Sequence, residues 1–509
     1  MNIERMPPHK LEFEKRIKNL AKSSKTLSQR TIRGGFWVFL FRLVRQFFSL
    51  IRLIILARVL APHDFGLFGI ALLVMGTLDT FSQTGFRQAL IQKKGDIRSY
   101  LDAAWTALIL RGFVLFAVLY LLAPFASVFF NAPEAMLIIR TIGLSILFQA
   151  FTNIGVIYFR KELEFNKEFM YKFPGTIADF TVSVLTVLLL RNVWALVFGL
   201  LARDIVTCVV SYLAHPYRPR LSFDLGKVKE LWGFGKWILG SSILIFLLTQ
   251  GDDIFVGKLL GATALGFYQL AYRISNIPAT EITHVISRVT FPAYSKLQDN
   301  ISKLKEAYLR VLRVTSFLSF LVAGLIFVLA PDFTKVFLGD KWMPMVPAMQ
   351  MLCIFGVVRS INATMGPVLY SIGKPEIQTK FSCIQLILMV AIIYPLTIQW
   401  GILGTSVAVV IPNILVLVLI TLQLKKIINI TCKELLMNVI GPVVAVFMMA
   451  FTIFLRPVFL LHGNDVFNFF LMLTFNSVIY LVIIYLWDRR KGYKIRREVY
   501  EILNYLRGK

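Results

Sequence analysis

The chain has 509 residues, of which 57% are hydrophobic and 16% charged, and its mean hydropathy is +0.70. Soluble globular proteins are far less apolar, so this composition excludes that class and predicts an all-α polytopic membrane protein. The net charge of +27 is also typical of nucleic-acid binders. No basic soluble domain with aromatic or motif context accompanies it, so no nucleic-acid partner is expected.

Residues 1–33 are interpreted as a basic cytoplasmic tail that is not cleaved off. The tail has no signal-peptide core or cleavage site. Its apolar residues interleave with charges, as in a helix that lies on the membrane surface; these are Leu11, Phe13, Ile17 and Leu20. A disordered basic tail is an equally good interpretation.

About fourteen segments are long and apolar enough to cross a bilayer, which takes roughly 20 residues each. In chain order they lie near 34–57, 65–86, 103–127, 136–157, 173–190, 193–213, 237–257, 265–288, 311–330, 344–369, 381–397, 402–424, 436–455 and 466–487. The predicted units are an N-lobe (34–213), a cytoplasmic linker (214–236), a C-lobe (237–424), two further spans (436–487) and a basic tail (488–509).

The basic residues of the connections are distributed unequally between the two sides of this topology. The tails and the loops on their side hold 39 Lys and Arg, whereas the opposite loops hold six. Because cytoplasmic loops carry the excess of positive charge, both termini are expected to face the cytoplasm.

A repeat links the two predicted lobes. The stretch ARVLAPHDFGLFGIA at 57–71 aligns without a gap with GKLLGATALGFYQLA at 257–271, and LAPFASVFF from Leu122 resembles LAPDFTKVFL from Leu329. Both copies of the first motif follow an odd-numbered span, so the lobes share one orientation. This is a transporter architecture in which substrate binds between the lobes.

The opening span carries arginines that hydrocarbon does not tolerate without a reason. At about 100° per residue, Arg42, Arg45, Gln46, Ser49 and Arg52 share an arc of roughly 120°. The stripe is about 15 Å long, too long for both ends to be snorkelling anchors. The alternative is that Arg42 and Arg52 reach toward opposite membrane surfaces and only Arg45 faces the interior.

Ten arginines lie within predicted spans, where each costs about 2.5 to 3.5 kcal/mol at a helix centre. We expect several to line a cavity between the lobes and to bind an anionic group, because guanidinium forks match phosphate oxygens. The candidates are Arg42, Arg45, Arg52, Arg111, Arg273 and Arg359.

Acidic residues in the spans are candidates for ion coupling. They are Asp79, Asp179, Asp252, Asp253 and Glu281, together with His284. Each acid has a structural alternative, the neutralisation of a buried arginine, and the helical set Glu281, His284 and Arg288 also reads as a packed polar cluster. Arg203 and Asp204 are neighbours about 100° apart on a helix, so they are expected to pair with other helices.

No metal and no cofactor are expected. The four cysteines lie in or beside apolar stretches without metal or disulfide spacing; they are Cys208, Cys353, Cys383 and Cys432. The sequence contains no GxxxxGK[ST] loop for ATP, so an ATP-driven pump is excluded unless a partner supplies the motor. A cationic first lobe that faces Asp252 of the second suits an anion transporter coupled to H⁺ or Na⁺.

The runs ARVLAPHDFGLFG, GFRQALIQ and DDIFVGKLLGATALGFYQLAYRISNIPA resemble polysaccharide-type, Wzx-like flippases of the multidrug, oligosaccharidyl-lipid and polysaccharide exporter superfamily. The resemblance covers about residues 30–430. It implies two six-helix lobes that alternate access and move an oligosaccharide repeat unit on undecaprenyl pyrophosphate across the bacterial inner membrane. A polysaccharide polymerase and chain-length machinery are the further partners that it implies.

Two other functions fit the sequence less well. A drug antiporter of the same fold needs a cavity of acids and aromatic rings for cations, whereas this chain is rich in arginine. A membrane-embedded polymerase or ligase needs a sizeable outer loop for its catalytic groups, and the longest predicted outer connections have about 13 residues.

Overall fold

The computed structural model describes residues 27–93, 95–282, 290–459 and 465–491, and within these ranges the regular structure is helical throughout. The predicted all-α fold is therefore confirmed. The helices are α1 (Leu27–Val59), α2 (Pro62–Phe81), α3 (Phe86–Gln92), α4 (Arg98–Phe129), α5 (Ala135–Phe151), α6 (Ile157–Lys161), α7 (Phe165–Leu190), α8 (Trp194–Ala214), α9 (Leu225–Ser275), α10 (Ile301–Phe333), α11 (Val346–Ser371), α12 (Pro375–Ile428), α13 (Cys432–Phe459) and α14 (Asp465–Lys491).

Two of these helices each contain a break that divides them into two segments. α9 has 51 residues and α12 has 54, so each, if straight, would be more than twice as long as the roughly 30 Å hydrocarbon core. Each is broken at a glycine with a positive φ, Gly261 at 83° and Gly401 at 57°. Only glycine adopts such angles readily, so each long helix is two arms.

Nine helices of the described ranges are long and apolar enough to cross a membrane, or up to eleven if each of two bent pairs is one span. The chain is a multi-pass membrane protein. Division of α12 at Gly401, and of α9 at Gly261, is consistent with the fourteen spans predicted from the sequence. The bounds of the N-lobe, linker, C-lobe and tails remain predictions.

The largest hydrophobic core lies where the two halves meet. It combines Ala57 of α1, Ile70 of α2, Tyr268 of α9 and Met349 of α11, together with Trp342 of the connection before α11. We call the end of the bundle with the loops that contain Lys93, Lys161 and Arg218 the basic end. The opposite end is the one that contains Arg58 and Lys258.

The two copies of the repeat cross each other near the opposite end. A Cβ atom on Gly66 would lie 1.7 Å from the carbonyl oxygen of Ala262, and one on Gly266 would lie 2.1 Å from that of Pro62. These contacts are reciprocal under the 200-residue offset. The repeated motif is thus the surface on which α2 and the second arm of α9 approach backbone to backbone.

Polar contacts close the same end of the lobe interface. Trp342 donates from Nε1 to the carbonyl oxygen of Ala57 at 2.9 Å, and Lys341 donates to that of Arg58 at 2.9 Å. Arg58 in turn donates to the carbonyl oxygen of Phe337 at 2.8 Å. The halves are therefore in closed contact at the opposite end.

The connection between the halves is bound to the first half. Tyr217 donates to Asp102 at 2.7 Å, and Asn153 donates to the carbonyl oxygen of Tyr217 at 2.7 Å. In the first turns of α9, Glu230 accepts from Tyr100 at 2.8 Å, and Leu231 is buried against α3 and α4. The first turns of α9 therefore pack with the first half.

Gly66→Leu should prevent closure at the opposite end, because the side chain would overlap the backbone at Ala262. Cysteines placed at His63 and Thr263, whose side chains lie 3.4 Å apart, report closure in a protein without its native cysteines. We expect a large loss of disulfide yield in the Gly66→Leu protein. Gly240→Leu is the control, since nothing lies within 4 Å of its Cβ position; equal yields in both proteins would contradict the prediction.

Candidate functional site

The polar stripe of α1 meets α7 inside the first half. Arg52 donates from Nη1 to Asp179 Oδ2 at 2.7 Å and from Nε to Ser183 Oγ at 3.0 Å. Phe48 packs edge-on against the rings of Phe173 and Phe180, which holds the two helices side by side. Asp179 and Ser183 are one turn apart, so both reach the same guanidinium.

A second arginine reaches this place from the other half. Arg273, on the second arm of α9, donates from Nη2 to Ser49 Oγ. Arg52, Arg273, Ser49 and Gln269 line one cavity of about 160 Å³ together with apolar side chains of α1, α2 and α9. Two of the predicted arginines therefore face each other across the lobe interface.

The cavity is small, and its lining is mostly apolar around the polar groups of Ser49, Arg52, Gln269 and Arg273. Its volume corresponds to about five water molecules at roughly 30 Å³ each, and sites for organic ligands usually have about 300–1,000 Å³. An oligosaccharide does not fit in it. The halves are thus in contact at the opposite end, and the cavity must widen before a cargo of that size can enter.

Positive charge exceeds negative charge around the cavity. Arg45 lies within electrostatic reach of Arg273, and Arg203 lies within reach of Arg52. Asp179 is the carboxylate that Arg52 binds, and Arg203 binds Asp204. Of the residues that line the cavity itself, Arg52 and Arg273 are charged and none is a carboxylate, which favours an anion.

The prediction for Arg203 and Asp204 is wrong in part. Arg203 Nε lies 2.9 Å from Asp204 Oδ1 of the next residue, because the long arginine side chain curls back along α8. Asp204 also accepts from Ser145 and, at 3.0 Å, from Gln149, so its predicted contact with another helix exists as well.

The remaining predicted arginines lie elsewhere. Arg111 binds Asp79 at 2.7 Å and the carbonyl oxygen of Ser82 at 2.8 Å, joining α4 to the end of α2. Arg359 donates to the Tyr272 hydroxyl at 3.3 Å. Neither lines the cavity between Arg52 and Arg273. The side chain of Arg42 lies outside the described part of the chain.

Two buried carboxyls occupy the first arm of α9. Asp252 is 2% and Asp253 8% exposed. Tyr268 donates to Asp252 Oδ2 at 2.7 Å, and Asp252 Oδ1 makes no hydrogen bond within the described residues. Asp253 interacts with the amide of Gln269, which also lines the cavity. The pair therefore connects to the central cavity through one side chain.

The other predicted coupling residues are described less fully. Glu281 belongs to a π-helical turn, Pro278–Ile282, but its side chain, like all of His284 and Arg288, lies outside the described residues. Among the residues that the structure describes, no three His, Cys, Asp or Glu side chains gather as metal ligands.

Sequence reasoning did not select Ser183, Gln269 or Tyr268. Ser183 is one turn from Asp179, a spacing that indicates a shared face. Gln269 and Tyr268 belong to the repeat motif, where they were treated as signature residues only. Their roles depend on which helix faces which, and spacing does not determine that.

Residues 55–347 match the family described as "Polysaccharide biosynthesis protein". The chain is 28% identical over 367 residues to the lipopolysaccharide biosynthesis protein WzxC of Escherichia coli (strain K12), covering 72% of this chain and 75% of that protein. It is 28% identical over 296 residues to the teichuronic acid biosynthesis protein TuaB of Bacillus subtilis (strain 168), covering 58% and 61%.

Solved structures share the fold. The lipid II flippase MurJ in an inward closed conformation superposes with a TM-score of 0.73 at 13% identity, covering 89% of this chain and 99% of that one. An inward-facing multidrug resistance transporter of the MATE family superposes with a TM-score of 0.59 at 17% identity, covering 76% and 94%.

Asp179→Ala should destabilise the protein, because it leaves Arg52 buried without its carboxylate. Breaking a buried pair costs about 3 kcal/mol, visible as a lower Tm in detergent. Asp79→Ala is the matched control: its pair with Arg111 has the same 2.7 Å length, but Arg111 keeps its bond to the carbonyl oxygen of Ser82 when the carboxylate is removed, so a smaller loss of about 1 kcal/mol is expected. Equal losses in the two variants would refute this difference.

Proposed function

The chain belongs to the polysaccharide biosynthesis protein family of membrane transporters, as its motifs predicted, and from this premise we propose that it is a flippase for a lipid-linked oligosaccharide. The cargo is a repeat unit on undecaprenyl pyrophosphate. The protein moves it from the cytoplasmic to the outer leaflet of the bacterial inner membrane, with both of its own termini in the cytoplasm.

This proposal rests on Arg52 and Arg273, which face each other across the lobe interface. A pyrophosphate on a polyprenol must leave the headgroup layer and cross hydrocarbon, which is costly for an anion. Guanidinium groups from both halves replace its hydration with charge-assisted hydrogen bonds. In this structure the Ser49 hydroxyl accepts a hydrogen bond from Arg273. When the halves separate, the pyrophosphate replaces Ser49 as the acceptor.

Alternating access follows from the closed contact at the opposite end. With Gly66 and Gly266 crossed, the cavity can open only towards the basic end, where the cargo is made. Release to the other leaflet requires the crossing to separate. The reciprocal contact is a small, rigid surface, so it acts as a gate with two discrete positions.

We further propose that Asp252 and Asp253 couple this cycle to an ion gradient. Two adjacent buried carboxylates are costly to hold. Arg359 lies within electrostatic reach of Asp252, and a proton or Na⁺ offsets the remaining negative charge of the pair. Asp79 and Asp179 are less suited, because each already binds an arginine. A polysaccharide polymerase and chain-length machinery are the proposed partners downstream.

A cation antiporter is disfavoured by the sign of the charge in the cavity. The MATE likeness, at 17% identity, supports a common fold only. A cavity with arginines from both halves repels organic cations.

Arg45→Ala, Arg273→Ala and the paired variant Arg52→Ala with Asp179→Ala, which leaves no carboxylate unpaired, should each abolish transport while leaving membrane expression intact. The assay follows a fluorescent lipid-linked oligosaccharide in reconstituted vesicles as it becomes accessible to an impermeant quencher. Arg140→Ala is the control, because that guanidinium lies over the Tyr120 ring, 4.4 Å from its centroid, and not in the cavity. Unimpaired transport in Arg45→Ala would remove the central assignment.

Asp252→Asn combined with Asp253→Asn should abolish the acceleration that an imposed H⁺ or Na⁺ gradient gives, because amides do not exchange the ion. The same vesicles, with and without each gradient, measure this. Asp79→Asn should keep the response. A response that survives in the double variant would show that the coupling residues lie elsewhere.

A further inference from the structure

A second group of cations lies in the first half, nearer the basic end. We propose that Arg87, Arg160 and Lys172 bind a carboxylate on the sugar part of the cargo while its pyrophosphate occupies the cavity of Arg52 and Arg273. This inference rests on the proposed function and specifies the substrate as an acidic oligosaccharide. We call Arg87, Arg160 and Lys172 the outer station.

Three neighbouring helices build the outer station. Helix α3 starts after Gly85, whose φ of 65° turns the chain, and buries Phe86 and Leu90 against Ile157 of α6. Packing on that side leaves Arg87 on the exposed side of α3. Arg160 is on α6, and Lys172 is on α7 directly after it.

The outer station has more positive than negative charge. Glu168 binds both Arg160, at 2.6 Å, and Lys172, so one carboxylate serves two cations. Arg87 lies within electrostatic reach of Arg160 and Lys172. Its one hydrogen bond in the described structure is a long contact of 3.4 Å with the carbonyl oxygen of Gln149, so its guanidinium remains available to a ligand.

The distance between the two groups fits a cargo with two separated anions. Lys172 and Asp179 are seven residues apart on α7, so the outer station lies about 10 Å along that helix from the Arg52 pair. Arg45 is seven residues before Arg52 on α1. Phe41 packs against Phe169 just as Phe48 packs against Phe173 and Phe180, so the two helices run parallel and Arg45 lies level with Lys172.

Arg45 lies on the neighbouring helix at the level of the outer station. It is exposed and lies within electrostatic reach of Arg273. A pyrophosphate alone needs only one of the two groups. A cargo with a pyrophosphate and an acidic sugar a short distance along the chain engages both groups through charge-assisted hydrogen bonds.

The test compares two cargoes that differ in one carboxylate. One is a polyprenyl-pyrophosphate disaccharide whose second sugar is glucuronic acid, and the other carries glucose at that position. Transport is measured as kcat/KM in the vesicle assay. The wild-type protein should prefer the acidic cargo about tenfold. Arg87→Ala should lose this preference while moving the glucose cargo at the wild-type rate, and Arg87→Lys should retain part of it.

Arg98→Ala is the control, because Arg98 is exposed at the basic end but outside the outer station; it should keep the full preference. Equal rates for both cargoes in the wild-type protein would overturn the outer station and leave the flippase standing. A similar loss for both cargoes in a correctly folded Arg87→Ala protein would assign Arg87 to the pyrophosphate or to structure, and would also overturn it. Failure of the wild-type protein to move either cargo would instead refute the flippase itself.

Discussion

A guanidinium group inside a bilayer must have partners, and this requirement organises the first half of the protein. Arg52 satisfies it with Asp179 and Ser183, and Arg111 satisfies it with Asp79 and the backbone of Ser82. These bonds orient α1 against α7 and α4 against α2. The same groups that cost free energy to insert therefore fix the positions of four helices.

The two halves divide the chemistry between them. The first contributes most of the arginines near the central cavity, and the second contributes Arg273 together with the buried pair of Asp252 and Asp253. Gln269 contacts both sets, since it lines the cavity and interacts with Asp253. This adjacency places the buried pair one side chain away from the lobe interface.

The sequence predicted the features that depend on period and composition. The all-α fold follows from hydropathy, and the shared face of Ser49 and Arg52 follows from helical spacing. The structure brings Arg52 and Arg273 together and leaves Arg111 in a separate pair. Spacing did not predict that difference, nor the contact of Arg203 with Asp204, because both depend on long side chains and on which helices become neighbours.

The crossing of Gly66 and Gly266 has a consequence for the origin of the chain. Reciprocal contact of one surface with its own copy is how a homodimer with twofold symmetry associates. An ancestral protein with six helices would have paired with itself through this motif, and gene fusion would have joined the two subunits. Once joined, the copies were free to diverge, and the 200-residue offset now sets Arg52 of one copy against Asp252 of the other.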